Sequence, residues 1–305
     1  MTRAADLLTA LMLPPVDPGP PFPVSTRRFP DGSAARVEIP EVETPEIFRE
    51  VLAAADRLRA PVHRVSQGTG ITLLSDQELR EMAAIGGDRQ VEVFLFVGAR
   101  ATHDIGAQAY ARRGAGVGLR LRGSAGLAHG LDDVLRAVDC GVRGILAADE
   151  GLIMIIDALR RQGQLPADLK IKSSAALPVV NPQGCRLMQQ IGVDSVNLGT
   201  DLTVAMIAAI RAAVDVPLDV YVEAPPDLGG FARYHDLPDL VRSAAPIYLK
   251  FGLKNETLTD PWGEHLRAVA LDQARERVRR ASLGIELLRR HGIMGIADFR
   301  FQISD

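Results

Sequence analysis

The sequence predicts a (β/α)8 barrel, and three observations lead there. From residue 35 onward, short β-branched and aromatic runs alternate with amphipathic helical stretches, the order that builds a parallel sheet with crossover helices. The unit recurs at about 25 to 30 residues, the spacing of a closed barrel. No GxGxxG follows the first run, which argues against an open, doubly wound dinucleotide-binding sheet. The expected organisation is an N-terminal arm and connector over residues 1–34 and a single barrel over 35–305 with a C-terminal extra helix.

Taken in order, residues 3–12 form a short apolar helix suited to packing on the body or on a second subunit. PPVDPGPPFPV at 14–24 is a proline-rich connector without regular structure. The candidate strands are RVEIP (36–40), VHRVS (62–66), VEVFLFVG (91–98), VGLRLRG (117–123), GILAAD (144–149), KIKSSA (170–175), SVNLG (195–199), LDVYVEA (218–224) and IYLKFGL (247–253). These are nine, one more than a barrel needs, so the closing strand stays open: the ninth run is an extra strand or a β8 whose predecessor is misplaced. Helix starts are marked by Thr44 then Pro45, by Ser75 three residues before Glu78, and by Asn181 then Pro182. The stretch from Trp262 to Arg290 has apolar residues at helical spacing and reads as an external helix on the barrel or on a partner subunit.

A formal charge of −3 with 24% charged residues offers no nucleic-acid surface, though a local basic pocket remains open. Cys140 and Cys185 lack the spacing of a zinc site or a disulfide framework and read as buried thiols. The N-terminus is too short and too polar for a secretory or membrane segment, so a cytoplasmic protein is expected, with no membrane partner.

Lysine use is uneven. Of 35 basic residues only four are lysines, and they sit in KIKSSA and YLKFGLK, both candidate strands. Period-2 alternation turns the apolar face of each strand to the helices and the polar face inward. That places Glu38, Arg120 with Arg122, Lys172 with Ser174, Asn197, Asp219 with Tyr221 and Glu223, and Tyr248 with Lys250 inside, with Asp149 at a strand's C-terminal end. Such an interior is too polar for packing alone and suggests a solvated pocket. Its small positive excess favours an anionic ligand. Lysine, unlike arginine, loses its proton when desolvated and then attacks a carbonyl, which makes Lys172 and Lys250 the catalytic candidates with Glu223 or Asp149 as acid-base. Arg120 and Arg122 either bind the anionic end of the substrate or neutralise Glu38 or Glu223. His63 and His103 are acid-base candidates or loop histidines. Gly68 and Gly70 of SQGTG offer a weak phosphate-approach signal. No cofactor is expected. The alternative is a divalent metal ion on Glu38, Asp149 and Glu223 with His63.

LDDVLRAVDCGVRGILAADEGLIMIIDALR and the run from IKSSAALPVV to VYVEA, together about residues 131–224, resemble peptidase family U32. The resemblance implies a TIM-type barrel, a collagenase-like peptidase label, and in some members an iron-sulfur cluster supporting hydroxylation of RNA bases or quinone precursors. Glu223 stands where the family has a histidine, and two cysteines cannot supply a four-cysteine cluster, so no iron-sulfur cluster is expected. KIKSS is also similar to the lysine strand of deoxyribose-phosphate aldolase, which implies a Schiff-base lysine on the sixth strand.

The function expected from these residues is a lyase or aldolase for a small anionic, carbonyl-bearing substrate such as a sugar acid or sugar phosphate. Lys172 would form the imine, Lys250 would lower its pKa or grip the anion, and Ser174, Asn197, Tyr221, Glu38 and His63 would contact substrate. The alternatives are a U32-like hydrolase, metal-assisted through the three carboxylates, and a non-enzymatic binding barrel. A homo-oligomer through the arm or the last helix fits any of these.

Overall fold

The computed structural model describes residues 3–98, 119–257 and 261–293. Its strands are β1 (Ala35–Pro40), β2 (Arg64–Ser66), β3 (Glu92–Val97), β4 (Gly144–Ala147), β5 (Lys170–Ser173), β6 (Ser195–Asn197), β7 (Leu218–Glu223) and β8 (Ile247–Phe251), and they close in sequence order into a parallel barrel. The closing pair sets Val37 against Leu249 and Glu38 against Lys250. The ring of helices is α2 (Pro45–Leu58), α3 (Asp76–Arg89), α4 (Gly123–Asp139), α5 (Glu150–Arg161), α6 (Pro182–Gln190), α7 (Val204–Ala213), α8 (Leu237–Ala244) and α9 (Arg267–Arg290), preceded by the arm helix α1 (Arg3–Ala10).

Outward strand residues such as Val37, Ile39, Val65, Leu95, Ile145, Ile171, Val196 and Leu249 are buried against the helices and make the main core. Helix starts follow the sequence signals. Thr44 accepts from the Ile47 amide ahead of Pro45, Ser75 and Glu78 form a reciprocal capping box, and Asn181 caps α6. Gly144 is needed where β4 meets β3, because a Cβ there would lie 2.3 Å from the Val93 carbonyl oxygen.

Two expectations change. VGLRLRG is not a strand: residues 119–122 form a turn and a loop running into α4, while 117 and 118 lie outside the described residues. Lys172 therefore stands on the fifth strand, not the sixth, which removes the positional match to the aldolase lysine. The C-terminal helix is also not an addition. α9 follows β8, packs on α2, α8 and β1, and completes the ring as the eighth barrel helix. The arm helix α1 buries none of its residues, and the chain just after it is held by Arg186, whose guanidinium donates to the Leu11 and Met12 carbonyls at 2.9 and 2.6 Å.

Candidate active site

Inward side chains of a (β/α)8 barrel stack in layers of four drawn from alternate strands. Register and contacts sort them here. The lowest layer holds Arg64, Gly144, Ser195 and Tyr248. The Arg64 guanidinium lies 3.4 Å from the Tyr248 ring centroid and 4.4 Å from that of Phe94. It donates to Glu92 at 2.8 Å, Ser195 Oγ at 3.0 Å and Asp219 at 3.1 Å.

The next layer holds Glu38, Phe94, Lys172 and Asp219. Lys172 Nζ donates to both carboxylate oxygens of Glu38 and lies 3.6 Å from Asp219 Oδ2. Ser66 Oγ donates to Glu38 at 2.7 Å, and Ser195 Oγ donates to Asp219 at 2.5 Å. The third layer holds Ser66, Leu146, Asn197 and Lys250. Lys250 Nζ lies 3.5 Å from Glu38 Oε1, donates to the Asn197 side-chain oxygen at 3.3 Å, and sits 4.1 Å from the Tyr221 ring centroid. Uppermost are Pro40, Phe96, Ser174 and Tyr221. Ser174 Oγ accepts from the Ala176 amide at 3.1 Å.

The two amines thus share one carboxylate. Three buried cations, Arg64, Lys172 and Lys250, face two buried carboxylates, Glu38 and Asp219. Glu38 is buried too, yet three surrounding cations outweigh that and hold its pKa far below the usual carboxylate range. Burial is the largest influence on Lys172; with Asp219 and Glu38 pulling upward and Lys250 and Arg64 downward, its pKa is pushed down to about 8. Burial drives the Tyr221 phenol well up, so it stays protonated.

At the C-terminal mouth, Glu43 accepts from the Gly68 and Thr69 amides, each at 2.9 Å, and burial pushes its carboxyl up to about 7. The glycine-rich amides of SQGTG are therefore engaged by a carboxylate of this chain. Beside them Arg277 of α9 donates to Glu41 and Glu256, each at 2.7 Å.

Of the predicted site residues, Lys172, Lys250, Glu38, Ser174, Asn197 and Tyr221 meet inside the barrel. The others do not. A register shift between Tyr221 and Glu223 on β7 turns Glu223 to the helix layer, where it accepts from Arg280 at 3.1 Å and Tyr234 at 2.9 Å. Asp149 caps α5, accepting from the Leu152 amide at 3.0 Å. Arg120 pairs with Glu150 at the start of α5, and Arg122 precedes α4. His63 stands before β2, at the opposite end from the mouth, with Nδ1 accepting from the Val37 amide at 2.9 Å. The proposed metal set of Glu38, Asp149 and Glu223 is dispersed over three places, and no cluster of metal-ligating side chains occurs among the described residues. His103 lies outside the described residues. Arg64, Ser66, Ser195 and Asp219 complete the network. VHRVS carries the signal for the first two, since Val65 outward puts Arg64 and Ser66 inward.

Fold and site together define a (β/α)8 barrel with a buried, carboxylate-linked lysine pair. Residues 127–224, about a third of the chain, match the model of peptidase family U32, to which this part of the barrel is similar. Among solved structures, the U32 peptidase Mk0906 is similar at 16% identity over 85% of this chain and 82% of that one, with a TM-score of 0.39. Thiamine phosphate pyrophosphorylase from Pyrococcus furiosus is similar at 12% identity over 81% of this chain and 96% of that one, with a TM-score of 0.41. Such likeness concerns the fold alone. No curated protein matches the sequence. No helix among the described residues is long and apolar enough to cross a membrane.

Proposed function

We propose that the barrel is a lyase of the aldolase type that holds a small anionic, carbonyl-bearing substrate on Lys172 as an imine. One observation carries this reading: Lys172, wholly buried in the barrel, shares the Glu38 carboxylate with Lys250. With its pKa pushed down to about 8, roughly a tenth of Lys172 is free amine at pH 7. The amine nitrogen attacks the carbonyl carbon and the π pair moves to oxygen. The alkoxide takes up a proton from solvent, and Glu38 takes the surplus N–H proton and returns it to the departing hydroxyl, so one water leaves and a protonated imine forms. Lys250 and Asn197 hold the substrate's anionic group, and Ser174 and Tyr221 orient it. The iminium then draws in the electron pair of the bond between its α and β carbons while the β hydroxyl gives its proton to solvent, so one fragment leaves as an aldehyde; the enamine left on Lys172 is protonated and hydrolysed by water to release the other. No metal or redox cofactor enters this sequence.

Incubation with carbonyl acids and borohydride, followed by peptide mass mapping, tests it. An adduct on the peptide carrying Lys172 is expected, absent in Lys172→Arg. An adduct on Lys250 alone would move the nucleophile one layer up, and no adduct with any acid that the protein turns over would sink the mechanism.

A further inference from the structure

The barrel interior is divided by polarity around its circumference. From that division, and resting on the imine reading above, we infer that the substrate is a 2-oxo acid whose remaining part is aliphatic or aromatic, rather than a polyhydroxylated sugar acid. The adjacent strands β3 and β4, with the residue just after β4, contribute Phe94, Phe96, Leu146 and Ala148, which form an apolar cluster separate from the core between barrel and helices. Leu119, after β3, and Ala176, after β5, pack onto the same cluster from the C-terminal end. The opposite side, from β6 round to β1, carries Asn197, Tyr221, Lys250 and Glu38.

A substrate with its carboxylate on Lys250 and Asn197 and its carbonyl on Lys172 therefore sets the rest of its body against Phe96, Leu146 and Leu119. The backbone groups of that wall are engaged in the ladder between Leu95–Val97 and Ile145–Ala147. Sugar hydroxyls placed against these residues lose their water and find neither donor nor acceptor on their side chains, whereas a hydrocarbon chain gains by leaving water.

The test uses the full chain and two independent assays. In borohydride trapping, 4-methyl-2-oxopentanoate is expected to half-saturate at a concentration at least about tenfold lower than 2-oxo-3-deoxygluconate. In calorimetry, which needs no imine, 4-methyl-2-hydroxypentanoate is expected to bind at least about tenfold tighter than gluconate. Leu119→Ser, at a partly exposed position, should narrow both gaps. Equal or better trapping of the sugar acid overturns the substrate class while leaving the imine intact. Failure of all trapping with the calorimetric preference retained overturns the imine and leaves the class standing. Equal calorimetric affinities overturn the inference.

Discussion

Lys172 and Glu38 meet across the barrel from the fifth and first strands, both fully buried, with the ammonium bonded to both carboxylate oxygens. Neither is a simple pair member. Glu38 also serves Lys250, Arg64 and Ser66, and Lys172 also faces Asp219. Charge inside the barrel is therefore a property of the set, and removing one member redistributes it.

Glu38→Gln shows this directly. The amide fits the space and keeps an acceptor for Ser66, but it leaves Asp219 as the one buried carboxylate of the set for three cations, with only Arg64 keeping a further partner in part-exposed Glu92. Stripping one partner from a buried network costs about 3 kcal/mol or more. Urea unfolding at pH 7 measures the loss, and a variant as stable as the parent would show that the cations do not depend on this carboxylate.

Lys172 imposes its own pH dependence. Its folded pKa of about 8 lies below the value of 10.5 expected in the unfolded chain, so between these the unfolded chain binds more protons. Stability then rises as pH climbs from about 8 toward 10.5, by on the order of 3 kcal/mol for a shift of this size. Lys172→Met should remove that rise when unfolding curves of the two proteins are subtracted. A difference curve flat across the window would refute the depressed pKa.

Glu43 works in the opposite sense. Its carboxyl titrates at about 7 when folded and at 4.5 when free, so between these the folded protein holds the extra proton and stability falls as pH rises. Glu256, raised to about 7 by burial and by Glu41, adds a slope of the same sign. Glu43→Gln should halve the fall between pH 4.5 and 7, at a cost of about 1 kcal/mol because one of the two clasped amides loses its acceptor. Melting temperatures across that range decide it.

Eight of the nine expected strands could be read because each alternates an apolar face with another kind of residue, or runs wholly apolar between turn signals. VGLRLRG alternates as well. Its leucines do pack, Leu121 against Gly130 and Leu119 on the interior cluster, but no strand pairs with the described residues 119–122. The same alternation found Lys172, Lys250, Glu38 and Asn197. It failed at Glu223 because a single register shift inverts parity without leaving a mark in LDVYVEA. The apolar wall was hidden for a different reason. In VEVFLFVG both faces are hydrophobic after Glu92, so only the closed barrel distinguishes Phe94 and Phe96 from Val93 and Leu95.

The inverted parity at Glu223 separates two assignments of the acid-base role. The sequence placed Glu223 beside Lys172. In the fold its carboxylate accepts from Arg280 and Tyr234 and from the Lys254 amide at 3.0 Å, tying α9 and the β8 loop to the end of β7. Glu223→Gln removes an ion pair whose arginine is part-exposed, so the loss should stay near 1 to 2 kcal/mol. Borohydride trapping on Lys172 should proceed at the parental rate. Glu38→Gln, assayed at a urea-free temperature where both variants remain folded by circular dichroism, should slow trapping at least about tenfold, since the group that accepts the amine's proton is gone. If instead Glu223→Gln slows trapping and Glu38→Gln does not, the proton acceptor lies in the helix layer and the interior carboxylate serves only to neutralise charge.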